Sequence, residues 1–130
     1  MAGSNAELIG QAYRAFAAGD IPAVLERLDA DITWHVPGRS PLSGDYRGPD
    51  GVLDFFGRCQ ELSSGTLKVV ADEILADGER VVVLSTVSAE RLGRYGSSPE
   101  IHVWRVVGGR AVEFREFQGD QETEDAFWAA

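Results

Sequence analysis

The sequence predicts an α+β fold: a conical roll in which a curved, mostly antiparallel sheet packs on three N-terminal helices. Two observations lead there. Apolar residues recur at helical spacing up to Leu62, whereas an alternation of period two dominates from Leu67 to Gln118. Within the second half, Asp77-Gly78 and Gly108-Gly109 join alternating runs, and such dipeptides suit the positive-φ geometry of tight hairpin turns. A sheet of this kind bends, and its concave face has room for a pocket beneath the helices.

The elements follow in order. Ser4-x-x-Glu7 has the pattern of a capping box, and Leu8, Ile9, Ala12, Tyr13 and Phe16 share the helix face behind it. Gly19 ends this helix and Asp20 caps a second, short one, with Pro22 in its first turn, where a missing N–H is harmless. Val24, Leu25 and Leu28 give that helix its apolar side. Ile32–Val36 is a short strand of β-forming residues, stopped by Pro37-Gly38. Residues 38–48 are turn-prone and read as a loop. Pro49 and Asp50 open a third helix with Val52, Phe55, Phe56, Cys59 and Leu62 on its apolar face, and Ser63-Ser64-Gly65 breaks it. Leu67–Ala76 and Arg80–Glu90 make the first long hairpin. Residues 91–98 read as a second turn, which leads into Ile101–Val107 and Ala111–Gln118. Asp120–Trp128 is acidic and ends in an aromatic pair; it reads as a short docking helix or as an arm reaching a partner subunit.

A chain of 130 residues fits one domain, 1–130, with a real core. Its composition, 44% hydrophobic and 25% charged, is that of an ordinary globular protein. A net charge of −9 disfavours nucleic acid and anionic membrane as partners. The single cysteine, Cys59, excludes an internal disulfide and reads as a small buried apolar group. With no signal pattern and no apolar run of membrane-spanning length, the expected location is the cytoplasm.

Chemistry concentrates in the hairpin from Glu100 to Gln118. Strand alternation gives one face to His102, Trp104 and Val106, and on the second arm one face to Phe114, Glu116 and Gln118. An imidazole, an indole, a carboxyl and an amide among apolar groups suit a small-molecule pocket. His102 titrates near neutrality and can serve as acid, base or neutral donor; the plainer reading is a structural histidine bonded across the hairpin. An inward Glu116 needs a partner or a proton, which His102 would supply as an acid–base pair, or Arg105 or Arg115 as a salt bridge. His35 falls on the face opposite Val36 unless Pro37 bulges the strand, so pocket lining competes with a surface position. Trp34, Phe55, Trp104 and Phe114 offer walls for a flat ligand or pack as core, and Tyr46 hangs over the pocket mouth or covers the core edge. The histidines and Glu116 lack metal-ligand spacing, so no metal is expected. No dinucleotide fingerprint or phosphate loop is legible, and no cofactor is expected.

The stretches AFAAGDIPAVLERLDADITWHVPG, YRGPDGVLDFF and HVWRVVGGRAVEFREFQ resemble the nuclear transport factor 2-like superfamily, of cystatin-like fold, and within it the ketosteroid-isomerase and SnoaL-like polyketide-cyclase branch. The resemblance spans nearly the whole chain. It implies the conical fold, a homodimer through the outer sheet face, and a hydrophobic small molecule in the concave face. This fold hosts isomerases, cyclases, epoxide hydrolases, dehydratases and plain binding modules. Position by position, Val36 stands where the isomerases carry an aspartate base, and Ala12, with Tyr13 beside it, where a helix tyrosine donates to the oxyanion. His102 stands where a protonated aspartic acid is the second donor. Glu116 matches an aspartate that helps epoxide hydrolases activate water, while their arginine–aspartate pair has no clean counterpart. The isomerase route cannot run without a base at Val36. The resulting expectation is cofactor-free acid–base chemistry on a hydrophobic ketone, polyketide-like ring or epoxide. In it His102 exchanges a proton with a substrate oxygen, Glu116 tunes the imidazole or activates water, and Tyr13, Val36 and Gln118 join the aromatics as substrate contacts. The alternative is a binding module that holds a hydrophobic ligand unchanged.

Overall fold

A computed structural model describes residues 2–129, with side chains from residue 5 onward. Helices α1 (Ala2–Ala17) and α2 (Ile21–Leu25) meet at Gly19-Asp20, where Gly19 takes φ +77° and the Asp20 carboxylate accepts from the Ala23 N–H at 3.3 Å. The capping box expected at Ser4 involves a side chain outside the described residues. Strand β1 (Leu28–Val36) precedes β2 (Gly44–Arg47) and α3 (Gly48–Ser63). Four long strands follow, β3 (Lys68–Asp77), β4 (Arg80–Arg91), β5 (Arg94–Val107) and β6 (Arg110–Gln118), and then α4 (Gln121–Trp128).

The six strands form one unclosed sheet in the order β2-β1-β6-β5-β4-β3, antiparallel except where β1 runs parallel to β6. Helix α1 packs over β3 and α3 over β1, leaving the middle of the concave face between them. Ile9, Ile32, Val52, Val81 and Val83 are fully buried in that layer. The expected α+β conical architecture is thus the one observed.

Local corrections have physical causes. The loop predicted over residues 38–48 contains β2, which pairs Gly44–Arg47 with Val36–Thr33 of β1. Strand β1 begins at Leu28 rather than Ile32, through an irregularity between Leu28 and Thr33 that breaks the alternating pattern. The turn predicted over 91–98 is only Leu92-Gly93, with φ +53° and +78°. Beyond it, Gly96, Ser97 and Ser98 are paired with Ala89, Ser88 and Val87. Gly96 looks like a breaker but is a packing glycine, since a Cβ there would stand 2.7 Å from the Phe127 ring. The C-terminal segment is the docking helix, capped by the Asp120 carboxylate on the Thr123 N–H at 3.1 Å, with Glu124 and Trp128 buried against the sheet.

Candidate active site

Strand register assembles the site as rows across the concave face. Trp34 of β1, Phe114 of β6 and Trp104 of β5 are direct neighbours, the first two stacked with ring centres 3.8 Å apart and the indoles edge-on at 5.4 Å. The next row pairs Glu116 with His102. The one after pairs Gln118 with Glu100, and Glu100 with Ser85 of β4. Since side chains two apart in a strand share a face, an aromatic floor gives way to polar groups toward the strand ends that α4 closes. A cavity of about 90 Å³ lies above these rows, walled by α1, α3 and α4 and overwhelmingly apolar.

His102 is 4% exposed and has both ring nitrogens engaged. Its Nδ1 lies 2.6 Å from the Tyr13 hydroxyl and its Nε2 2.9 Å from Oε1 of Glu100. Trp104 Nε1 donates to the Tyr13 oxygen at 3.1 Å. An indole N–H can only donate, so a fully satisfied chain runs one way: Trp104 to Tyr13, Tyr13 O–H to His102 Nδ1, and His102 Nε2–H to Glu100. Ser85 donates to the Glu100 carbonyl at 2.9 Å and ties β4 to β5 there.

Burial governs the titration of this group. It lowers His102 to about 4, so the imidazole is neutral at pH 7. Burial, reinforced by the neighbouring Glu116, raises Glu100 to about 8, and burial together with Glu100 raises Glu124 to about 10. Glu116 is also raised by burial, against the pull of His102 and a hydrogen bond from Gln118 Nε2 to its Oε2 at 2.9 Å. A protonated Glu100 still accepts at Oε1, so its raised pKa is compatible with the chain of donors above. Burial likewise raises the Tyr13 hydroxyl and the Cys59 thiol, leaving both neutral. The arginines considered as partners for Glu116 are elsewhere: Arg105 pairs with Glu79 at 3.2 Å, and Arg115 is exposed on the outer face.

Of the residues singled out in the sequence, Tyr13, Trp34, Val36, Phe55, His102, Trp104, Phe114, Glu116 and Gln118 line the cavity. His35 does not. Alternation holds through Pro37, and its Nδ1 is bonded to Asp45 of β2 on the other face. Tyr46 also lies outside the cavity wall: its ring packs behind Phe55 at 5.1 Å and its hydroxyl donates to the Leu42 carbonyl at 2.8 Å. Glu100, Glu124 and Trp128 line the cavity without having been singled out. Donor atoms of Glu100, His102 and Glu116 lie within 4.8 Å of one another, the spacing of a loose metal-ligand group that the sequence spacing did not suggest. Three buried polar atoms of the cavity wall lack a hydrogen-bond partner: Trp34 Nε1, Gln118 Oε1 and Glu124 Oε2.

Residues 9–114 match the model of the SnoaL-like domain. The chain belongs to the SnoaL-like domain family. Among solved structures, Bal32a from a soil-derived mobile gene cassette is 34% identical with a TM-score of 0.93, over 98% of both chains. An NTF2-like protein of unknown function from Burkholderia pseudomallei is 31% identical with a TM-score of 0.87, over 97% of this chain and 98% of that one. An uncharacterized protein of Mycobacterium tuberculosis is 28% identical over 97% of each chain. More distantly, a putative SnoaL-like polyketide cyclase from Jannaschia shares the fold at 18% identity and a TM-score of 0.76, over 97% of this chain and 92% of that one. Among the described residues no helix is long and apolar enough to cross a membrane.

Proposed function

We propose that the protein binds a hydrophobic small molecule in the concave cavity and performs acid–base chemistry of the isomerase, cyclase or hydrolase type on it. The supporting observation is the set of titratable groups, Tyr13, His102, Glu100 and Glu116, gathered side by side in a mostly apolar cavity with their pKa values driven apart. An imidazole held neutral beside a Glu100 carboxyl pushed up to about 8 can take part in proton exchange at pH 7 without first creating a buried charge. Because both nitrogens of His102 are already bonded within the protein, Glu116 is the group placed to exchange a proton with a ligand oxygen. Glu100 can restore the proton that Glu116 gives up, while Tyr13 and His102 hold the Glu100 carboxyl in place. Val36 puts an isopropyl group at the position the resemblance gives to the isomerase base, so the carboxyl that exchanges a proton in this chain comes from β6 instead of β1. The distant likeness to a polyketide cyclase is in keeping with a ring-bearing ketone as substrate.

The test is turnover of hydrophobic ketones, polyketide-like rings and epoxides by wild type, Glu116→Gln and His102→Ala. The expected loss is about 100-fold or more for Glu116→Gln, with a smaller loss and an altered pH profile for His102→Ala. Full activity in both variants would remove the cluster from the mechanism. The internal saturation of His102 favours a second reading, a module that binds without reacting. Mass analysis of ligand recovered after full occupancy decides between them, since an unaltered ligand supports binding alone.

A further inference from the structure

The polar end of the cavity gathers three carboxyls and an amide with no positive charge beside them. Its titratable groups are Tyr13 from α1, Cys59 from α3, Glu100 and His102 from β5, Glu116 from β6 and Glu124 from α4, and neither lysine nor arginine lines it. Burial keeps His102 neutral, so three carboxyls face one another without a counter-cation. Gln118 Oε1 on this wall is buried with no partner, and Glu124, only 5% exposed, has no N–H donor at its Oε2 and only the neighbouring Glu100 carboxyl to share a proton with. An acceptor left empty in a buried site costs free energy that a donor from outside would recover. Next to this end stand the packed rings of Trp34, Trp104 and Phe114.

We propose that the cavity takes an organic cation, a protonated primary amine on an aromatic or alicyclic body. The ammonium sits among Glu100, Glu116, Glu124 and Gln118, and the body lies against the Trp34–Phe114–Trp104 wall. This inference rests on the reading that the cavity binds a small molecule, and it names the class. An ammonium brings three N–H donors and the missing positive charge, and it lets the acidic cluster give up a proton to bulk solvent. Aromatic faces beside a desolvated cation add to the attraction. A ketone oxygen alone can meet Glu116 but brings no donor for Gln118 Oε1, which an ammonium on the same body would supply. A bare metal ion would compete with Glu100 and Tyr13 for the ring nitrogens of His102, and would face a wall that is mostly hydrocarbon.

Trp34, Trp104 and Trp128 all line the cavity, so intrinsic fluorescence reports its occupancy. The probes are 2-phenylethylamine and its uncharged isostere 2-phenylethanol, titrated into the full-length protein and into Glu116→Gln and Glu124→Gln. The amine is expected to bind at least about tenfold more tightly than the alcohol, a difference that each substitution reduces. An unchanged circular dichroism spectrum in the same variants shows that their folds are intact. If the alcohol binds as tightly as the amine, or the preference survives both substitutions, the cation assignment is overturned and the small-molecule reading stands. If neither probe binds, the cation assignment is overturned, and the turnover screen with ketones, rings and epoxides decides the small-molecule reading.

Discussion

Glu100 and Glu124 carry protons in the folded protein that they lose when the chain unfolds, and the sign of the resulting pH dependence follows. Their folded values near 8 and 10 stand above an ordinary value of 4.5. Between the unfolded and folded values the native state binds more protons, so stability is greatest on the acid side of that window and declines as pH rises through it. Glu116, also raised, acts in the same direction. His102 opposes them only between its folded value near 4 and its ordinary 6.5, where rising pH adds stability. Tyr13 and Cys59, the remaining titratable groups of the wall, are raised beyond this range and stay neutral throughout. The thermal midpoint should therefore fall from about pH 6.5 to about pH 9, by roughly 5 °C or more, and Glu124→Gln, which cannot ionise, should flatten the decline. A midpoint that holds steady or climbs in the wild-type protein would contradict this account of the cluster. At the same scale, much of the site can be read before folding. Alternation along β5 and β6 is enough to gather His102, Trp104, Phe114, Glu116 and Gln118. Glu100 obeys the same parity, two residues before His102, but reading residues 91–98 as a turn starts the strand at Ile101 and leaves it outside. Arg105 and Arg115, as candidate partners of Glu116, fail on parity as well, since Arg105 shares its face with Ile101 and Arg115 with Phe117, both turned outward.

Helix α4 closes the cavity, and its docking depends on a few contacts made far from its own sequence. Asp125 accepts from the Arg39 N–H at 3.0 Å, and Arg91 donates to the Ala129 carbonyl at 2.9 Å. Gly38 has φ +96°, and a Cβ there would stand 2.3 Å from the Asp125 carboxylate. Gly38→Ala should therefore combine backbone strain with loss of the Asp125 contact, destabilising the protein by about 1–3 kcal/mol. It should also raise amide exchange in residues 121–128 above the rest of the chain. Asp125→Ala removes the contact without the strain. It should loosen α4 to a similar degree at a smaller global cost, measured by denaturant unfolding. Uniform exchange along the chain in both variants would show that this corner does not hold the helix. No local period announces such docking. Phe127-Trp128 at the end of an acidic segment suggests an apolar destination, but Glu124 and Trp128 become cavity wall only through Gly38, Gly96 and Arg91, three residues whose roles exist in the folded chain alone. The hairpins are the opposite case, because Asp77-Gly78 and Gly108-Gly109 set their turns locally, while Leu92-Gly93 does so with a leucine at positive φ that no turn preference would suggest.

For the molecule as a whole, the convex face of the sheet poses the remaining problem. Leu75 of β3, Ile101 of β5 and Phe117 of β6 are 53%, 43% and 49% exposed, and register places Val82, Leu84 and Val103 between them. Leu84 pairs with Ile101, and Ile101 with Phe117, so the exposed side chains form one continuous apolar band across four strands instead of isolated surface residues. We propose that a second copy of the chain covers it, sheet against sheet, because a flat band of this kind can serve as its own complement about a twofold axis. The concave face is filled by helices and cavity, so dimerisation would leave the site accessible and unshared. Light scattering on dilute protein should return twice the 14.1 kDa of one chain. Ile101→Lys combined with Phe117→Lys puts like charges directly opposite each other at the centre of the band, and should give the 14.1 kDa species with an unchanged circular dichroism spectrum. Since neither residue reaches the cavity, the doubly substituted protein should bind 2-phenylethylamine as the wild type does. A wild-type protein that is monomeric at micromolar concentration would remove the second copy and leave the convex band without its proposed cover.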